Sequence, residues 1–111
     1  MSLFSCSSDT DESIPGYQPH EIIVVTLNLE ANQNIEKIVL QAESSKDSLL
    51  KPEITNKASV KLKCPQNGEG TYSLCVYRTN DTLCSPESYI EGGYRPKLVL
   101  KRNMIEVVEW H

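Results

Sequence analysis

The sequence is poor in the side chains that chemistry usually recruits. Among 111 residues there are two histidines, one tryptophan and one phenylalanine. Hydrolytic or transfer chemistry needs a nucleophile, a base and a charge stabiliser brought together. His20 follows a proline-rich stretch and His111 is the last residue of the sequence, so neither is well placed to serve a triad. A glycosidase would hold two carboxylates ~5 to 9 Å apart across a cleft, which asks for longer loops than these turns offer. Asn67-Gly68-Glu69-Gly70 lacks the lysine and the following helix of a phosphate-cradling loop. The expectation is a chain that is not an enzyme, with no cofactor.

Positive charge is scarce as well. Eleven Lys and Arg against fifteen Asp and Glu give a net charge of −4 and a pI near 5.1. The cations cluster no further than Lys61/Lys63 and Lys101-Arg102, so no nucleic acid is expected as a partner. Long apolar runs are missing too. Ile22-Ile23-Val24-Val25 is the longest, against the ~18 residues needed to cross a bilayer. Metal-type cysteine spacing is absent: Cys64, Cys75 and Cys84 stand too far apart, and too far from a histidine, for a zinc site.

What the sequence does have is alternation. Ile23, Val25, Leu27 and Leu29 fall on one face of a strand, with Thr26, Asn28 and Glu30 on the other. Ile38, Leu40 and Ala42 repeat the pattern after Ala31-Asn32-Gln33-Asn34, which predicts a hairpin between the two strands. Residues 43–57 predict a crossing loop, with a helical turn available at residues 44–50 before Pro52 stops it. Val60, Leu62 and Cys64 alternate with Lys61 and Lys63. Residues 65–70 then turn the chain into a further hairpin that points Tyr72, Leu74 and Val76 inward. Gly92-Gly93 predicts a bulge or a close backbone approach. Leu98 and Leu100 should face Val107 and Ile105 across a last turn.

If Arg78-Thr79-Asn80-Asp81 is a hairpin loop, residues whose numbers sum to 159 lie opposite. Val76 then faces Leu83 on the buried side, and Cys75 faces Cys84 on the outer side within disulfide reach. Cys64 is left as a buried thiol. Six or seven short strands at ~8 to 12 residue spacing predict an all-β antiparallel sandwich of Ig-like type for residues 21–111, with a small β-barrel as the alternative.

The N-terminal Leu3-Phe4-Ser5-Cys6 resembles the lipobox of bacterial lipoproteins, and the acidic Ser7-Ser8-Asp9-Thr10-Asp11-Glu12-Ser13 resembles their tether. The architecture behind it resembles the small Ig-like domains of bacterial cell-envelope lipoproteins. That likeness implies lipidation at Cys6, a flexible tether over residues 1–20, and membrane attachment through the lipid alone. Function is then expected to be recognition of an envelope protein or glycan, with Tyr77, Tyr89 and Tyr94 as the candidate surface. A structural spacer is the alternative, and a small enzyme a more remote one.

Overall fold

A computed structural model describes residues 12–31 and 34–111. Nine strands are assigned: β1 (Ile22–Leu29), β2 (Ile35–Ala42), β3 (Lys46–Leu50), β4 (Ser59–Pro65), β5 (Glu69–Arg78), β6 (Thr82–Cys84), β7 (Ser88–Glu91), β8 (Lys97–Leu100) and β9 (Ile105–Glu109). One helical turn, α1 (Lys51–Ile54), stands between β3 and β4. The strands form two sheets, one ordered β4-β1-β8-β9 and the other β3-β2-β5-β6 with β7 also on β5. The chain is an all-β sandwich.

The alternating residues do what their pattern requires. Ile23, Val25, Leu27 and Leu29 of one sheet meet Ile38, Leu40, Leu74 and Val76 of the other in a single cluster, most of them fully buried. Burying a side chain of this size contributes roughly 1.5 to 3 kcal/mol. Leu98 faces Val107 and Leu100 faces Ile105, as the last turn predicts.

Three connections differ from the sequence-based expectation. β1 does not form a hairpin with β2, because β4 takes one of its edges and β8, running parallel, takes the other. With no edge left, the chain crosses to the second sheet, and the ladder β1·β8 makes the first sheet mixed rather than purely antiparallel. Residues 65–70 likewise carry the chain from β4 to β5 in the opposite sheet instead of closing a hairpin. Between them, the expected crossing loop contains β3, paired to β2 through a tight turn in which Ala42 N–H donates to the Ser45 carbonyl at 2.9 Å. Pro52 starts a helical turn rather than stopping one. It lies in the first turn, where a missing N–H does no harm, and Glu53 accepts from the Leu50 N–H at 2.9 Å. Asn56 ends it with φ +67.

Side chains close the gap where the edges of the two sheets meet. Asp47 on β3 accepts the Lys63 N–H of β4 at 2.9 Å, and Ser45 Oγ donates to the Pro65 carbonyl at 3.1 Å. Capping an edge N–H in this way blunts its capacity to pair with another chain. On the far side, β6 and β7 together make one interrupted partner for β5. Ser85 bridges the interruption: its N–H donates to the Leu74 carbonyl at 2.8 Å and its hydroxyl accepts the Leu74 N–H at 2.9 Å.

Candidate functional site

The register places Cys75 opposite Cys84 and Val76 opposite Leu83, and the cysteines form a disulfide with Cα atoms 4.0 Å apart. Arg78 N–H donates to the Asp81 carbonyl at 2.8 Å, which closes the loop on which that register depends. Cys64 is a free, fully buried thiol whose pKa burial pushes up to about 11, so it behaves as a small apolar side chain. Cys6 lies outside the described residues.

The tyrosines do not form one patch. Tyr89 on β7 and Tyr94 in the loop before β8 meet edge to face at 6.0 Å, and the His111 ring stands 5.3 Å from Tyr94. Tyr89 donates its hydroxyl to Glu91, and that bond raises its pKa. Tyr77 is elsewhere. It stands six residues along β5 from Thr71, the partner of Tyr89, which at strand rise is about 20 Å. Lys37, its cross-strand neighbour, lays its ammonium 4.9 Å from the ring centre. That contact stabilises the exposed sheet face by a fraction of a kcal/mol up to about 1. Sequence reasoning could not see this separation, because it did not place β7 on the first half of β5.

A different feature emerges at the end of the sandwich where β1, β5 and β8 finish. Three loops converge on a hollow of about 560 Å³ lined by Glu30, Ala31, Asn34, Arg78, Asn80, Asp81, Lys101 and Arg102. Arg78 organises it. Its Nε and Nη2 donate to the two Asp81 carboxylate oxygens at 2.7 and 2.6 Å, and its Nη1 reaches the Arg102 carbonyl at 2.8 Å. The β5–β6 turn of one sheet is thereby tied to the β8–β9 turn of the other. The guanidinium holds the Asp81 carboxyl below the ordinary carboxylate range and is itself raised by it. Thr79 completes the rim, its N–H donating to the Asn34 carbonyl at 2.9 Å and its hydroxyl to Glu36 at 2.9 Å. Asn34 sits at φ +57, a conformation asparagine adopts more readily than other side-chain residues.

Chemically this rim offers exposed amide, guanidinium and ammonium groups around the tied Arg78–Asp81 pair. No nucleophile and base stand together there, and among the described residues no group of three or more His, Cys, Asp or Glu is arranged to hold a metal ion. The site was not legible in the sequence, which shows Asn34, Asn80-Asp81 and Lys101-Arg102 only as turn residues. Comparison with protein-family models, with curated proteins and with solved structures finds no match for this chain.

Proposed function

We propose that this chain is a non-catalytic binding or adaptor module of the bacterial cell envelope, taking a protein or glycan partner in the strand-end cleft. One observation carries the binding role: a hollow of about 560 Å³ whose rim comes from loops of both sheets and carries exposed Asn34, Asn80, Lys101 and Arg102. Concave sites with a few fixed polar groups are where ligands are oriented and distinguished. The envelope address rests on Leu3-Phe4-Ser5-Cys6 and the acidic stretch after it, with Cys6 as the lipid-bearing residue. The Cys75–Cys84 disulfide supports it, because such bonds persist in oxidising compartments.

A spacer role is the second reading, and one observation favours it. Exposed strand and helix faces carry opposite charges in pairs, Lys97 with Glu109, Lys101 with Glu106 and Lys51 with Glu36. An evenly charged surface of this kind presents little to a partner.

The test immobilises the protein and exposes it to intact envelopes and to a glycan array, beside the double variant Asn80→Ala, Arg102→Ala. Specific capture by the native chain, lost in the variant, supports the cleft. Equal capture by both, or capture no better than a blank surface, overturns it. The address is tested separately by Cys6→Ala, which should release the protein from membranes.

A further inference from the structure

The outer face of the first sheet carries a second surface, built on other principles than the cleft. Ile23, Val25, Leu27 and Leu29 of β1 belong to the interior cluster, so Ile22, Val24 and Thr26 face outward by alternation. Ile22 and Val24 are nonetheless only 1% exposed. Beside them on β4, Pro65 pairs with Ile22, Lys63 with Val24 and Lys61 with Thr26. On the other flank of β1 stands Arg95, whose Nη1 donates to the Ile22 carbonyl at 2.8 Å. An apolar floor is thus walled by three cations, in a chain whose net charge is −4.

The chain's own N-terminal arm lies on this floor. Glu12 spans β1, with one carboxylate oxygen 2.7 Å from Lys61 Nζ and the other 3.1 Å from Arg95 Nε. Lys63 Nζ donates to the Ser13 carbonyl at 2.6 Å. Ile14-Pro15-Gly16-Tyr17 then turns the chain, Tyr17 N–H donating to the Ile14 carbonyl at 3.1 Å with Gly16 at φ +90. Proline before a left-handed glycine is the signature of a type II turn. Between arm and sheet remains a hollow of about 320 Å³, lined by Glu12, Ser13, Tyr17, Pro19, Ile22 and Arg95.

Two features say what this surface accepts and how firmly it is closed. Lys61 and Lys63 stand two residues apart on the same face of β4, opposite Thr26 and Val24 of β1, which carry no carboxylate, so a counter-charge from outside the sheet is favourable. The arm supplies that charge through the Glu12 carboxylate and adds a main-chain carbonyl as a hydrogen-bond acceptor for Lys63, groups that any extended acidic peptide presents. Yet the clamp is half in solvent: the Lys61, Arg95 and Glu12 side chains keep 31, 30 and 40% of their surface exposed, and Tyr17 keeps 46%. Exposed ion pairs are weak and salt-sensitive, so an arm held by them exchanges readily.

We propose that the outer face of the β4-β1-β8-β9 sheet is a groove for an extended acidic peptide segment, held shut in this chain by its own N-terminal arm, and that an acidic segment of another protein enters when the arm leaves. The arm acts as a competitor in cis. It reduces the apparent affinity for the external segment by the fraction of time it occupies the groove.

The test uses the full chain and a fluorescent synthetic peptide with the sequence of residues 9–19. Glu12→Arg places a cation between Lys61 and Arg95 and should free the arm, seen as faster amide hydrogen exchange over residues 12–20. Peptide binding by fluorescence anisotropy at low salt should then tighten by roughly tenfold or more over the native chain. Adding Lys61→Glu and Lys63→Glu should abolish it, as should salt near about 0.5 M, where the screening length falls to a few ångströms. A freed arm with peptide binding no tighter than native overturns the groove. An arm still protected in Glu12→Arg overturns the clamp. Undiminished binding after the lysine reversals overturns the role assigned to the cations.

Discussion

The two ends of this sandwich are closed by different means. At the end where β7 leads into β8, backbone packs on backbone. A Cβ added at Gly92 would lie 2.3 Å from the His20 carbonyl oxygen and 2.5 Å from that of Gln66, while the N–H groups of Gly92 and Gly93 donate to the carbonyls of Gly68 and Ile22. At the other end the loops meet through two single main-chain bonds, Thr79 N–H to the Asn34 carbonyl and Ala31 N–H to the Leu100 carbonyl, and through the Arg78 side chain, which pairs with Asp81 and reaches the Arg102 carbonyl. A main-chain contact has no rotamer with which to give way, whereas an exposed side-chain contact does. The first end therefore has no freedom to repack, while the second retains some at Arg78 and Asp81.

The largest effect is expected at the packed end. Gly92→Ala forces a methyl into two carbonyl oxygens and should cost about 3 kcal/mol or more, because overpacking against backbone finds little relief. Gly93→Ala sharpens the contrast one residue on. Its neighbours lie 3.6 Å away or farther, so only its φ of +94 resists, and the cost should be about 1 kcal/mol. Equal denaturation midpoints for the two variants would show that the close approach is not what fixes this end.

The disulfide comes next. Its closed loop spans a sequence separation of 9, for which loop entropy predicts about 2 to 3 kcal/mol lost in Cys84→Ala under oxidising conditions. A hairpin that survives in the unfolded chain would reduce that figure. Non-reducing peptide mapping of the native protein should recover Cys75 linked to Cys84 with Cys64 unlinked.

How much of this was readable from the residues follows the same division. Alternation assigns a side chain to a face, so the inward sets of β1, β2, β4 and β5 were legible, and counting from one turn placed Cys75 on Cys84. Alternation says nothing of which strand lies alongside. The parallel ladder of β1 with β8 joins residues about seventy positions apart, and it is this ladder that sends β2 to the other sheet. The cleft exists only because of that crossing, so its residues carried no local signal. Gly92-Gly93 was legible because glycine pairs inside a strand pattern have few other reasons to be there.

A smaller effect of opposite sign is expected in the core. The Tyr72 hydroxyl is buried with no hydrogen bond of ordinary geometry among the described residues: the Ser88 hydroxyl on the facing strand is near enough to offset part of its burial, but gives its own proton to the Pro86 carbonyl at 3.1 Å. Burial pushes the phenol up to about 12. Tyr72→Phe removes a desolvated group and should stabilise the domain by up to about 1 kcal/mol; a destabilised variant would show that the hydroxyl is satisfied in solution.

The arm adds a pH dependence smaller still. Lys61 first, then Arg95, hold the Glu12 carboxyl below its ordinary value of 4.5. A carboxyl lowered on folding contributes its full stabilisation above the ordinary value and loses it as pH falls through the folded, lower one. Since the pair is partly in solvent and screened there, the contribution should be under about 1 kcal/mol. Protection factors over residues 12–20, taken relative to the intrinsic exchange rate at each pH, should fall on acidification below pH 4.5 in the native chain, and the Glu12→Gln variant should show no such fall.

The smallest effect on stability is expected at the cleft, and there it is the most informative. Asn80 and Arg102 line the hollow with exposed side chains. The tie across the loops runs through the Arg78 guanidinium to the main-chain carbonyl of Arg102, which alanine at position 102 retains. Surface substitutions away from buried contacts and caps usually leave folding nearly unchanged. Asn80→Ala with Arg102→Ala should therefore melt with the native protein while losing whatever the cleft captures from intact envelopes. Arg78→Ala should behave differently: it releases Asp81 and unties the two turns, so exchange should quicken at the amides of both loops. If the double variant instead unfolded early, the rim would be part of the fold's own support, and the two ends would differ in composition but not in purpose.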